Sequence, residues 1–247
     1  MPPRLTFPDL DPDWRIETKY RIPLRQYYAL KNALTPYVSP DTFTRSSPSK
    51  RYIVRSLYFD TYNFQLYREK VSGNCNRIKF RFRSYEPSPS TNGKIRVEMK
   101  VRKSGIMEKY GCFVPNALVL KGNKLPLNTS PVLVEFARFQ YRWRLIPVTL
   151  VQYSREGYRS KAHDGIRITF DHNISSASAS ELFPQKIWWR RHYEQQVVFE
   201  IKHQHQMPNW IEDIIKYYNL RVVANSKYAM SVENGRNDLI LPPWRQI

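Results

Sequence analysis

The chain has 247 residues, with 40 Lys and Arg against 21 Asp and Glu, a formal net charge of +19. At 41% hydrophobic and 14% aromatic it can bury a core, which excludes a disordered chain, and so large a cationic excess calls for a polyanionic partner. No apolar run approaches the roughly 20 residues of a membrane-spanning helix, the N-terminus has no apolar signal core, two cysteines make no disulfide framework, and no G-x-x-x-x-G-K loop is present.

Residues 1–13, rich in Pro and Asp, predict a loose tail. Arg15, Glu17, Lys19 and Arg21 then alternate with Trp14, Ile16, Thr18, Tyr20 and Ile22, the period of a strand. Leu24, Tyr27, Leu30 and Leu34 recur at helical spacing over 24–35. Residues 51–60 predict a strand, and Asp60, Thr61 and Asn63 a turn into a short helix. Two long strands, 77–85 and 94–102, flank a Pro/Ser/Asn/Gly loop at 86–93, and a further β segment covers about 106–114. Residues 132–145 predict a helix, followed by strands at 148–156 and 165–171. A Ser/Ala-rich loop at 174–180 leads to Trp188, Trp189, Arg190 and Arg191, a basic-aromatic patch that covers a barrel end or meets a partner or membrane surface. A strand at 196–203, an amphipathic helix at 209–220 after Pro208 and a helical turn around Asn225 to Tyr228 complete one domain, 14–232, before a C-terminal tail at 233–247.

The strands alternate in an unusual way. Arg77, Lys79, Arg81, Arg83 and Tyr85 share one face, with Ile78, Phe80 and Phe82 on the other. Lys94, Arg96, Glu98, Lys100 and Arg102 oppose Ile95, Val97, Met99 and Val101; Arg167, Thr169 and Asp171 oppose Ile166, Ile168 and Phe170; Val198, Glu200 and Lys202 oppose Val197, Phe199 and Ile201. Cationic faces laid side by side in an open sheet would repel across strands. Closing the sheet puts them in a shared lumen for a polyanion and turns the apolar faces outward, under the helices at 24–35, 132–145 and 209–220. The expected fold is therefore α+β, a closed antiparallel β-barrel with a polar, basic lumen and flanking helices. Isolated carboxylates among the cations suggest a divalent metal beside the anion. Phe80 and Phe82 lie opposite the arginines, which counts against base stacking and a specific nucleic-acid partner.

Glu17-x-Lys19-Tyr20, Ser56 to Thr61, Arg81-x-Arg83-x-Tyr85, Glu98-x-Lys100, Tyr153-x-Arg155, Arg167 to Asp171, Glu200-Ile201-Lys202 and Ser226-Lys227-Tyr228 occur in the order found in another group of proteins. Over Glu17 to Tyr228 the chain resembles the VTC domain, the catalytic domain of the vacuolar transporter chaperone polyphosphate polymerase, in the CYTH/triphosphate tunnel superfamily. The resemblance implies an eight-stranded tunnel that transfers the γ-phosphate of ATP to inorganic polyphosphate with a divalent metal, Mn2+ or Mg2+. It implies phosphate-binding roles for Lys19, Arg81, Arg83, Lys100, Arg155 and Arg167, a metal-ligand role for Glu200, and a place near the terminal phosphate for Lys227 beside Ser226. Lys79 and Lys202 share the lumen faces and join the phosphate set. Lys227, Arg81, Arg83 and Arg167 are the candidate catalytic cations, since phosphoryl transfer is accelerated mainly by positioned positive charge and Arg can fork two phosphate oxygens at once. The competing role for each cation is a structural salt bridge to Glu17 or Glu98, and the competing role for Glu200 is an ion pair. ATP and polyphosphate are the expected partners, the expected place is the cytoplasm or the inner face of the membrane, and a membrane-protein partner would have to supply any spanning segment. Rival functions are a tunnel-type triphosphate or nucleoside triphosphate phosphohydrolase and a non-catalytic polyanion-binding protein.

Overall fold

In the computed structural model, residues 15–104, 106–120, 125–162 and 165–235 are described; the tail expected at 1–13 lies outside them, and of that expected at 233–247 only 233–235 are described, as the end of a helix. The alternation of the sequence fixes the build. Strand β1 (Ile16–Pro23) runs into helix α1 (Leu24–Leu34), then β2 (Val38–Pro40), α2 (Thr42–Ser46), β3 (Tyr52–Asp60), α3 (Gln65–Val71), β4 (Arg77–Ser84), β5 (Lys94–Lys103) and β6 (Ile106–Pro115). Helices α4 (Asn116–Leu120) and α5 (Pro131–Arg142) precede β7 (Ile146–Ser160), β8 (Arg167–Ala177), β9 (Arg190–Arg191), β10 (Gln196–His203), α6 (Asn209–Tyr217) and α7 (Lys227–Gly235). The main path of the sheet is β1-β10-β8-β7-β3-β4-β5-β6, antiparallel throughout, with β2 added to β7 and β9 to β8.

The apolar faces point outward and the helices cover them. On α5, Leu133, Phe136 and Phe139 pack on Phe80, Phe82, Val97 and Met99. Ser130 caps that helix by accepting from the Val132 amide, with Pro131 in its first turn. On α1, Tyr27, Leu30 and Leu34 join Ile168, Phe170, Phe199 and Ile201, and α6 adds Ile211 to the same layer. The three helices end earlier than their sequence periods suggest, and β8 runs on to Ala177, so the Ser/Ala segment begins as strand.

The sheet is a curled half-barrel, not the fully closed barrel expected. Its edges β1 and β6 meet at an isolated bridge, Arg15 with Met107, where the Arg15 amide donates to the Met107 carbonyl at 3.1 Å. The antiparallel register of that bridge explains the opening. Beyond Arg15, β1 runs past the start of β6 at Ile106, so among the described residues the two edges overlap only around this bridge. One interior region is filled by α7, whose Tyr228, Ala229 and Val232 pack on Tyr58, Val151, Tyr153, Ile174 and Val198. No helix among the described residues is long and apolar enough to cross a membrane.

Candidate functional site

The concave face of the sheet holds a cavity of about 310 Å³. Fifteen Lys and Arg side chains line it against two carboxylates, Glu17 and Glu200. Strand register makes the crowding specific. Lys79 on β4 lies opposite Lys100 on β5, which lies opposite Lys109 on β6; Arg77 faces Arg102 and Arg83 faces Arg96. Like charges on adjacent rungs oppose folding, a cost that Glu98 and Glu17 offset for several of them.

Four carboxylates hold the wall together. Glu98 is fully buried and carries Arg81 at 2.6 Å, Lys109 at 3.2 Å, Arg96 at 3.5 Å and Arg83 at 3.6 Å. Glu17 takes Lys100 at 2.6 Å and Arg15 at 3.1 Å, with Lys19 at 3.9 Å. Asp171 receives a two-pronged bond from Arg155, 2.6 and 2.7 Å, and Lys227 at 2.5 Å. Glu200 is ringed by Lys227 at 2.9 Å, Lys202 at 3.1 Å, Arg155 at 3.5 Å and Lys19 at 3.8 Å. Burial alone would raise Glu17, Glu98 and Glu200, but these cations overcome it and hold each well below the usual carboxylate range.

The ammonium groups divide into two kinds. Burial would lower Lys227, but Asp171 and Glu200 reverse that and raise it above an ordinary lysine. Burial dominates elsewhere. It brings Lys100 down to about 8 and Lys109 to about 7, each with help from neighbouring cations and against a carboxylate. Lys79, whose Nζ donates to Ser226 Oγ at 2.9 Å, falls well below its usual value through burial and then Lys19, Lys100, Arg77 and Lys70. Lys202 is also lowered well below it, burial outweighing Glu200. The Nε groups of Arg96, Arg102 and Arg167 are buried without a hydrogen-bond partner.

All eleven residues expected from the sequence line this cavity: Lys19, Lys79, Arg81, Arg83, Lys100, Arg155, Arg167, Lys202, Ser226, Lys227 and Glu200. Arg167 reaches it from the rim, donating to Asp41 at 2.9 Å and to the Tyr52 hydroxyl at 3.3 Å. Arg21, which shares the alternation of β1, is instead exposed, its guanidinium 4.2 Å from the Tyr193 ring. Lys109 escaped the sequence reading because β6 carries no run of alternating cations; its place opposite Lys100 in the register would have found it. Of the tyrosines in the lining, Tyr85 was already placed on the basic face of β4, whereas Tyr52, Tyr58, Tyr153 and Tyr228 were given no role in the sequence reading.

Glu200, the expected metal ligand, has both oxygens on cations: Lys227 and Lys19 at one, Lys202 and Arg155 at the other. No group of three His, Cys, Asp or Glu side chains among the described residues could hold a metal ion. This donor set does not fit a resident divalent ion, which needs several oxygens not already paired with cations.

Residues 14–234 match the family model of the VTC domain. The chain belongs to the VTC family. Its match takes in every described strand and all of α7 but Gly235. A Bacillus halodurans protein, provisionally described as an adenylate cyclase, shares the fold of this VTC domain at TM-score 0.51 and 14% identity, over 86% of this chain and 95% of that one. A protein from Pyrococcus horikoshii aligns at TM-score 0.48 and 11% identity, over 89% of this chain and 99% of its own. A search of curated proteins finds no match.

Proposed function

We propose that this VTC domain is a polyphosphate polymerase that moves the γ-phosphate of ATP onto the end of an inorganic polyphosphate chain. The observation that carries this reading is the convergence of fifteen cations on one cavity, with repelling rungs and with buried Nε groups of Arg102 and Arg167 that have no hydrogen-bond partner. A terminal oxygen of the chain attacks the γ-phosphorus, the bond to the bridging oxygen breaks, and ADP leaves with that oxygen. The charge on the transferred group rests on Arg81 and Arg83, two positions apart on one face of β4, on Arg167 at the rim, and on Lys227. Tyr52 and Tyr85 at the rim pack on half-exposed Phe43, with ring centroids 5.3 and 5.1 Å apart, a surface on which a nucleobase can stack.

Hydrolysis of a triphosphate would need a base for water. Glu200 and Asp171 are both fully ion-paired, with Lys227 between them, and neither is placed to act as one. A divalent ion, Mn2+ or Mg2+, is proposed to arrive as the counter-ion of the phosphates. ATP as substrate puts the proposed reaction on the cytoplasmic side of a membrane.

With ATP and Mn2+, the protein should release ADP in step with acid-insoluble polyphosphate. Orthophosphate as the sole phosphorus product overturns the polymerase reading in favour of a hydrolase. Absence of turnover together with tight tripolyphosphate binding would leave a binding protein.

A further inference from the structure

The two tryptophans of the basic-aromatic segment do different things. Trp189 is half-buried and packs with Leu182, Phe183 and Ile187 on the outer core layer. Arg55 reinforces that anchor, its guanidinium 5.3 Å from the Phe183 ring and 5.8 Å from the Trp189 ring. Just after it, β9 pairs Arg190 with Ser176 and Arg191 with Ser175, and the Arg190 side chain bonds the Asn234 carbonyl near the end of α7. Between these fixed points Trp188 is 91% exposed.

A whole indole held in water by a segment pinned on both sides is not a side chain that failed to find the core. Trp has an apolar body and a polar N–H, the pairing that suits a membrane–water boundary. Exposed Lys186, Arg190 and Arg191 flank it, against Glu181 and Glu194 in the same stretch, so the local charge is positive and suits anionic headgroups. An apolar anchor plus cations is the two-signal combination that stable but reversible membrane attachment requires.

We infer that Trp188 and its flanking cations form a docking point for the surface of an anionic phospholipid bilayer. The occupant is a lipid surface rather than a protein groove because Trp188 protrudes from a positive collar and lines neither the basic cavity nor the shallow one bounded by Ser178 to Glu181 and Pro184 to Lys186.

The protein's net charge would draw it to anionic vesicles whatever Trp188 does, so the test must isolate the ring. Co-sedimentation is measured with phosphatidylcholine vesicles and with vesicles containing phosphatidylglycerol, near physiological salt. Wild type should bind the anionic vesicles, and Trp188→Ala should bind them about tenfold more weakly. Tyr217→Ala, removing another highly exposed ring, should bind as wild type does. Brominated lipid should quench part of the wild-type tryptophan fluorescence but not that part in Trp188→Ala. Tripolyphosphate binding, which reads the cavity alone, should be the same in all three proteins and reports separately on the function proposed above. Equal vesicle binding by wild type and Trp188→Ala overturns the inference, as does no binding at physiological salt. A dimer that dissociates on Trp188→Ala, with no vesicle binding, would assign the ring to a second copy of the chain and also overturn it.

Discussion

Lys227 sits where two carboxylates, Asp171 and Glu200, converge, 2.5 and 2.9 Å away, so its ammonium already neutralises the strongest concentration of negative charge in the cavity wall. It follows that Mn2+ should bind only together with phosphates, which draw the cations off Glu200 and bring oxygens of their own. Titration of the protein with Mn2+ should give no saturable binding until tripolyphosphate is added; tight binding to the free protein would contradict this. Glu200→Gln leaves Lys227, Lys202 and Arg155 sharing one less charge. It should lower the melting temperature of the free protein, and tripolyphosphate should recover most of the loss by neutralising the same cations. A variant as stable as wild type without ligand would mean that Glu200 does not hold the wall. The depressed lysines make binding pH-dependent. Lys100, at about 8, and Lys109, at about 7, are held down chiefly by burial and regain protons when an anion enters. Binding should therefore take up protons around pH 7–8, and tripolyphosphate affinity should fall as pH rises through that window. Calorimetry in two buffers of different ionisation heat checks the sign, and proton release would refute it. For the free fold the sign is the opposite. Both lysines bind fewer protons folded than unfolded, so stability should rise with pH from about 7 towards their ordinary 10.5.

Asp60 ends β3 and governs two helices. Its carboxylate accepts from the amides of Thr61 at 2.7 Å, Leu66 at 2.9 Å and Tyr67 at 3.0 Å, which caps α3, and from the Tyr228 hydroxyl, which ties down the first turn of α7. That turn carries Lys227 into the cavity. Asp60→Ala strands three buried amides and a hydroxyl and should cost at least about 3 kcal/mol. It should also weaken tripolyphosphate binding, because α7 is loosened. Tyr228→Phe removes one of the four bonds and should cost less than half as much in a urea titration. Similar losses for the two variants would mean that the α7 contact, not the cap, dominates. In the sequence, Asp60 was legible only as a turn residue; bonds that reach six and seven residues ahead, and across to α7, leave no local pattern. The strand faces were legible because alternation is set by the backbone itself. Phe80 and Phe82 lie outward under α5, and Arg81 and Arg83 lie inward, as the period requires. Helical stripes such as Leu24, Tyr27, Leu30 and Leu34 were legible for the same reason, although Leu24 proves exposed where it starts α1. The partners of each cation were not legible. Arg155 meets Asp171 through the β7–β8 register, and Arg167 meets Asp41 from a loop far away in the chain.

At the scale of the whole molecule, charge and topology meet at the seam between β1 and β6. The convergent cations favour a lumen, but the extent of closure depends on how far the edge strands overlap, and a register between distant segments is not written in either one. Among the described residues the seam carries one isolated bridge, Arg15 to Met107, with a side-chain tie near it, Lys100 of β5 to Glu17 of β1 at 2.6 Å. With fifteen cations around the cavity, repulsion pushes the two edges apart, and Glu17 opposes it. A tripolyphosphate long enough to touch Lys19 and Lys100 at once would join the walls from inside. Binding should therefore slow amide hydrogen exchange in β1 and β6 more than in the central strands β3 and β7, which are paired on both sides already. Orthophosphate, which brings less charge and fewer oxygens to the same cations, should protect these edges much less. Glu17→Gln removes the native tie, so it should speed edge exchange in the free protein and leave the exchange of the liganded protein close to wild type. If tripolyphosphate protects only α7, the ligand sits on Lys227 without joining the walls. If it protects the edges no better than orthophosphate does, the half-barrel is not closed by its ligand.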